Sequence, residues 1–138
     1  MDGGNAREHA DRVARFLGAD PRVQLVYLFG SAVQPDRQEI RDVDLGVLTN
    51  PALSLDELMK LRADVARGAP IDLVSLNDAS IVLAHEIVES GICLYAKTSD
   101  VQTEFVTRAR ARYWDFQPYR EEQWRLAGER LENRRRGS

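Results

Sequence analysis

Seven residues, Val23-Gln24-Leu25-Val26-Tyr27-Leu28-Phe29, make an almost wholly apolar run of strand formers that follows Asp20-Pro21 and ends abruptly at Gly30-Ser31. Its length and composition are those of a strand covered on both faces, which calls for a layered arrangement with helices packed on a sheet. The flanking sequence supplies the helices. From about Ala6 to Leu17, Val13, Phe16 and Leu17 share one face at helical spacing, with Arg and Glu elsewhere. After Gly30-Ser31, positions 32 to 41 are polar and contain Pro35, as in a short helix or a loop, and a second strand is expected over Val43 to Leu48.

The alternation continues. Ser54 and Glu57 stand at capping-box spacing ahead of a helix that runs to about Arg67, where Gly68 and Pro70 stop it. Ile71 to Leu76 reads as a third strand, with one carboxylate, Asp72, embedded in it. Asn77 or Asp78 can cap a helix over Ala79 to Glu89, Gly91 is placed to be a left-handed stop, and Ile92 to Tyr95 is a short fourth strand. A long helical pattern from about Asp100 to Glu132 is interrupted near Pro118, which predicts two helices or one kinked helix. Strands alternating with helices give an α/β or α+β fold, a small mixed sheet of about four strands flanked by helices with a helical C-terminal segment. At 138 residues a single domain over 1–138 is expected, its core at about 6–96 and its C-terminal helices at about 99–132.

Composition excludes several classes. Hydrophobic residues make up 43% and charged residues 30%, which fits neither disorder nor a fibrous repeat. The net charge is −3, with 22 acidic against 19 basic side chains, so direct nucleic-acid binding is not expected. Cys93 is the single cysteine, which fits a reducing compartment; no apolar run is long enough for a membrane span and the N-terminus reads as no signal peptide, so the cytoplasm is the expected location.

The chemistry concentrates between the first two strands. Asp42 and Asp44 open the second strand with one residue between them, and strand period 2 sends both carboxylates to one face. Two like charges that close destabilise a fold unless a cation sits between them, and hard carboxylate oxygens suit Mg²⁺. Asp72, on a strand one helical crossover later, would complete a set of three acids able to hold two metals. Such a pair activates an attacking hydroxyl and stabilises the leaving oxygen of an in-line phosphoryl displacement. Gly30 lets backbone approach a phosphate, and Ser31 adds a hydroxyl and a helix N-terminal N–H.

Gly30-Ser31, ten residues, then Asp42-x-Asp44 resembles the signature of the DNA polymerase β-like nucleotidyltransferases, with Asp72 in the place of that family's third aspartate. The segments Ile71 to Ala79, His85-Glu86-Ile87, Gly91 to Tyr95 and Tyr113 to Pro118 look like the minimal nucleotidyltransferase antitoxins of HEPN toxin–antitoxin pairs, so the resemblance spans about residues 10 to 132. It implies a nucleotidyltransferase fold, Gly30 and Ser31 at the nucleotide phosphates, and Asp42, Asp44 and Asp72 as catalytic metal ligands for two Mg²⁺ ions. It further implies ATP as substrate and, as partner, a cognate HEPN ribonuclease toxin whose tyrosine receives AMP and which is thereby silenced. The sequence departs from many relatives at Ala32-Val33-Gln34, where an Ala-Arg-Gly-like segment is usual, and at Arg41, where serine is usual; Arg37 or Arg41 could substitute for the missing arginine. Two other readings keep part of this picture: transfer to a small-molecule hydroxyl such as an aminoglycoside's, and a non-catalytic module that occludes the toxin.

The remaining notable residues have structural readings. His85 is expected to be a hydrogen-bonded helix residue and Cys93 a packed small hydrophobe. Val101, Phe105, Ala109, Tyr113 and Phe116 recur at near-helical spacing and should pack on the domain's own sheet, while Trp114 and Trp124 fall off that stripe, as core or as interface residues. Arg108, Arg110 and Arg112 alternate around a helix and read as a solvated face.

Overall fold

The apolar run becomes an inner strand. The structure, a computed structural model, describes residues 3–33, 43–67 and 70–136. Its elements are α1 (Gly3–Gly18), β1 (Val23–Phe29), a 3₁₀ turn (Gly30–Val33), β2 (Val43–Thr49), α2 (Leu55–Ala66), β3 (Ile71–Ser75), α3 (Ile81–Ser90), β4 (Ile92–Ala96) and α4 (Ser99–Arg136). The four strands form one sheet in the order β3-β2-β1-β4. β1 runs antiparallel to both β2 and β4, whereas β2 and β3 are parallel and joined through α2. A mixed sheet with helices on both faces is the architecture expected from the alternation.

Strand alternation divides the side chains between two cores. Val26 and Leu28 of β1, Val43, Leu45 and Val47 of β2 and Ile71 of β3 join Val13, Ala14 and Leu17 of α1 and Ala66 of α2 in one buried cluster. Leu25 and Tyr27 face the other way, packing with Leu76, with Ile87 of α3, and with Val101 and Phe105 of α4. Fully burying a large aliphatic side chain contributes about 1.5–3 kcal/mol each, so the first cluster is the main source of stability.

Local signals set the boundaries in most places. Ser54 caps α2 with its hydroxyl on the Glu57 N–H at 3.1 Å, and the Glu57 carboxylate accepts the Ser54 N–H at 3.0 Å, the capping box read from the sequence. α3 differs from expectation: its cap is Ser80, whose hydroxyl accepts the Leu83 N–H, and not Asn77 or Asp78. The reason is tertiary. Asn77 is engaged with β2, its Oδ1 accepting the Thr49 N–H at 3.0 Å and its Nδ2 donating to the Thr49 carbonyl at 2.8 Å. Gly91 is not left-handed either; it is extended, at φ −83° and ψ 175°. Glycine is needed there for room, since a Cβ would lie 2.5 Å from the Ile87 carbonyl oxygen and 2.9 Å from that of Leu28.

The C-terminal segment is one helix that runs through Pro118. Proline removes one N–H and crowds the carbonyl four residues back. That residue, Trp114, is 71% exposed, so water can pair with its carbonyl and the ladder resumes beyond it. The core alternative for Trp114 and for Trp124, which is 69% exposed, is therefore excluded. Val101 and Phe105 pack as expected and Ala109 is buried, but Tyr113 goes to α3, where its ring stacks on His85 at 3.6 Å between centroids. Cys93 is the packed residue expected: burial pushes its thiol up, and Sγ donates to the Tyr95 carbonyl at 3.5 Å.

Candidate active site

The site is assembled where β1 ends and β2 and β3 begin. Phe29, the last residue of β1, pairs with Asp44, and Asp44 pairs on its other side with Asp72. Parallel register thus sets two carboxylates on adjacent strands, with backbones roughly 4.8 Å apart and side chains on the same face of the sheet. That face is opposite to the one on which Val43, Leu45 and Ile71 pack under α1 and α2. The crossover through α2 achieves what sequence spacing alone left open.

Gly30 caps this corner with φ +80°, a conformation that L side chains rarely adopt. A Cβ at Gly30 would lie 2.6 Å from Asp44 Oδ2, so glycine is required both by the turn and by the nearness of the carboxylate. The backbone of Ser31 follows in the 3₁₀ turn. Asp42, Arg37 and Arg41 lie outside the described residues, as does the side chain of Ser31. Of the five residues singled out in the sequence, Gly30, Asp44 and Asp72 are therefore seen together, with the Ser31 backbone beside them.

Arg62 was not picked out by the sequence. Its Nε donates to the Ile71 carbonyl at 2.6 Å, and its Nη2 stands 3.6 Å from Asp72 Oδ1. The guanidinium thereby partly offsets the charge of the acidic pair and holds Asp72 from the edge of the sheet. It sits on a polar helix position like any other, and only the tertiary fold reveals its role. Gly46, next but one after Asp44, was also missed: a Cβ there would lie 2.7 Å from the Leu76 side chain, so glycine lets Leu76 pack down on β2.

Two hard oxygen donor groups on one open face fit a divalent cation such as Mg²⁺, which takes few protein ligands and completes its shell with water and substrate phosphates. Among the described residues no cluster of three His, Cys, Asp or Glu is present. Also among the described residues, no helix is long and apolar enough to cross a membrane.

Comparison with known proteins gives relatives in sequence and in fold. The chain is 34% identical over 82 residues to the protein adenylyltransferase MntA of Shewanella oneidensis; the match covers 58% of this chain and 59% of that relative's length. Among solved structures, a chain of the complex between a tri-AMPylated Shewanella oneidensis HEPN toxin and its MNT antitoxin superposes with a TM-score of 0.72 at 26% identity, covering 88% of this chain and 98% of that one. A toxin–antitoxin structure with AMP-PNP gives a TM-score of 0.73 at 28% identity, with 85% and 97% covered. Residues 11–100, about two thirds of the chain and including Gly30, Ser31, Asp42, Asp44 and Asp72, match the family described as polymerase beta, nucleotidyltransferase, and the chain belongs to that nucleotidyltransferase family.

Proposed function

We propose that this protein is a Mg²⁺-dependent protein adenylyltransferase that acts as an antitoxin, transferring AMP from ATP to a tyrosine hydroxyl of a cognate HEPN ribonuclease toxin. The observation that carries the reading is the pairing of Asp44 with Asp72 in register, beside the Gly30 turn. The name of the 34% identical relative and the partners of the superposing structures support the choice of nucleotide and acceptor. The whole chain acts as one domain, with a core at about 6–96 and α4 as the arm that meets the partner, where Trp114 and Trp124 are exposed large apolar residues. The cytoplasm is the expected site of action.

In the reaction the tyrosine oxygen attacks the α-phosphorus of ATP, a new P–O bond forms, the bond between the α-phosphorus and its bridging oxygen breaks, and pyrophosphate leaves. Gly30 and the Ser31 N–H receive the triphosphate, because a turn without a Cβ admits phosphate close to the backbone. Asp72 lies near the acceptor, where its carboxylate oxygens can take the hydroxyl proton and pass it to water. Arg62 holds Asp72 in place. Asp42, Asp44 and Asp72 would hold two Mg²⁺ ions, which when bound lower the pKa of the attacking hydroxyl and neutralise the charge on the leaving oxygen.

The deciding experiment incubates the protein with the toxin of its genomic neighbourhood, Mg²⁺ and ATP, and reads the toxin by tandem mass spectrometry. AMP increments on a tyrosine are expected. An unmodified toxin inhibited by stoichiometric, ATP-free binding would establish occlusion instead, and efficient transfer to an aminoglycoside would move the acceptor to small molecules. Mg²⁺-ATP should also raise thermal stability, by about 2.7 kcal/mol at a hundredfold excess over Kd, and ATP in EDTA far less.

A further inference from the structure

Among the described residues, the face that carries Asp44 and Asp72 is open at one end of the sheet and roofed by α3 and α4 at the other. Leu48 lies four residues along β2 from Asp44, roughly 13 Å at the rise of a strand. There a cleft of about 140 Å³ is floored by Leu48, Leu76, Phe105 and Ala109 and rimmed by Arg108 and Arg112. A second hollow of about 110 Å³ adjoins it, sharing Leu48, Phe105 and Arg108, with Glu104 on its far side.

Arg108, Arg110 and Arg112 of this helix are not equivalent. Arg110 turns away and is neutralised by Glu89 at 2.7 Å. Arg108 and Arg112, one turn apart on the other side, are exposed and make no ion pair among the described residues. Like charges at i and i+4 repel, and here they are set together over an apolar floor. Asn77 also lines the cleft but is committed to Thr49, so the two guanidiniums are the polar groups left to meet a ligand. Two guanidiniums are matched by a phosphate, which takes planar, bidentate donors, and an apolar floor with a phenyl ring suits the flat face of a base.

We infer that this cleft is a second nucleotide site, which holds an AMP group already transferred to the acceptor while the acidic end of the same face takes the next ATP. The inference rests on the adenylyl-transfer reading above. Its motive is spatial: the toxin of one superposing complex is tri-AMPylated, and repeated transfer requires each attached AMP to leave the transfer centre while staying tethered nearby. This holds whether the next AMP joins a second protein hydroxyl or a hydroxyl of the first AMP. In either case an O–P bond forms at the new α-phosphorus and pyrophosphate departs as before.

The test is a methyl NMR titration of the full chain with AMP in EDTA, where the acidic site lacks the metal it needs. AMP is expected to shift the Leu48, Leu76 and Ala109 signals. Arg108→Ala combined with Arg112→Ala should weaken this at least ~10-fold, the worth of one charge-assisted hydrogen bond, while Arg110→Ala, with its charge already paired to Glu89, should leave it unchanged. AMP binding that is the same in the double variant, or no stronger than that of inorganic phosphate, overturns the site. With toxin, Mg²⁺ and ATP, the ratio of later to first AMP additions should fall about tenfold in the double variant, and an unaltered ratio also overturns the inference. If the wild type modifies no toxin, the transfer reading fails, and the AMP titration still decides whether the cleft binds nucleotide.

Discussion

The two faces of the sheet are built from alternate residues of the same strands, yet they do different work. Along β2, Val43, Leu45 and Val47 point into a core closed by α1 and α2, where Leu45 is fully buried and Val47 1% exposed. Asp44, Gly46 and Leu48 point the other way: the first belongs to the acidic pair, the second makes room for Leu76, and the third floors the arginine-rimmed cleft. The closed face can hold the fold because the buried cluster packed between the sheet, α1 and α2 is aliphatic throughout. The half-open face can then carry two adjacent carboxylates, whose repulsion would be costly without that support. Substitutions one position apart on β2 should therefore separate catalysis from stability.

Asp44→Asn should give the largest effect. Partners that only orient metal ligands cost 10- to 100-fold when removed, so loss of a ligand should lower AMP transfer by at least ~10². Melting temperature in EDTA should be unchanged or raised, because one of two like charges in register has gone. Transfer at the wild-type rate would remove Asp44 from the chemistry. Its neighbour should do the reverse. Leu45→Ala leaves a cavity in the closed core and should cost about 2–5 kcal/mol in denaturant unfolding, with transfer per folded molecule nearly intact. An activity loss in Leu45→Ala larger than the unfolded fraction explains would break the division between the faces. Gly30→Ala belongs to both sides. Its φ of +80° should cost about 1–3 kcal/mol, and the added methyl, 2.6 Å from Asp44 Oδ2, should displace that carboxylate and lower transfer as well.

The closed face was the more legible in sequence. β1 lies within the run Val23–Phe29 to the residue, because an inner strand is apolar on both sides and bounded by its turns. The capping box of α2 was equally readable, since all its atoms lie within four residues. On the half-open face the acids were visible as residue types, with Asp44 placed by strand period, but the neighbour of Asp72 depended on the β2–β3 register. Long-range contacts account for what was missed. The α3 cap moved to Ser80 because Asn77 bonds Thr49, 28 residues away, and Arg62 matters because α2 brings it to the sheet edge beside Asp72. Similarly, the reading of Arg108, Arg110 and Arg112 as one solvated face did not distinguish the residue that meets Glu89 from the two over the cleft.

The smallest expected effect concerns the clamp between the two helices that roof the half-open face. Glu89 of α3 accepts a hydrogen bond from Arg110 Nε of α4 at 2.7 Å, and this bond, more than the weaker pull of His85 at 3.9 Å, holds the Glu89 carboxyl below its ordinary value of 4.5. A depressed folded-state pKa means that the pair stabilises fully above pH 4.5 and loses its effect as pH falls through the lower folded value and Glu89 takes up a proton. Both groups are solvent-facing, so screening keeps the contribution small and salt-sensitive. Arg110→Gln should therefore lower the melting temperature slightly at pH 7 in low salt, by much less than Leu45→Ala does. The difference from wild type should shrink as the pH is taken well below 4.5, and again at pH 7 in 1 M salt, where the Debye length is about 3 Å. A difference that persists in strong acid would mean that Arg110 acts by packing its aliphatic stem between α3 and α4, and that the roof over the cleft is held by the same kind of contact as the closed face.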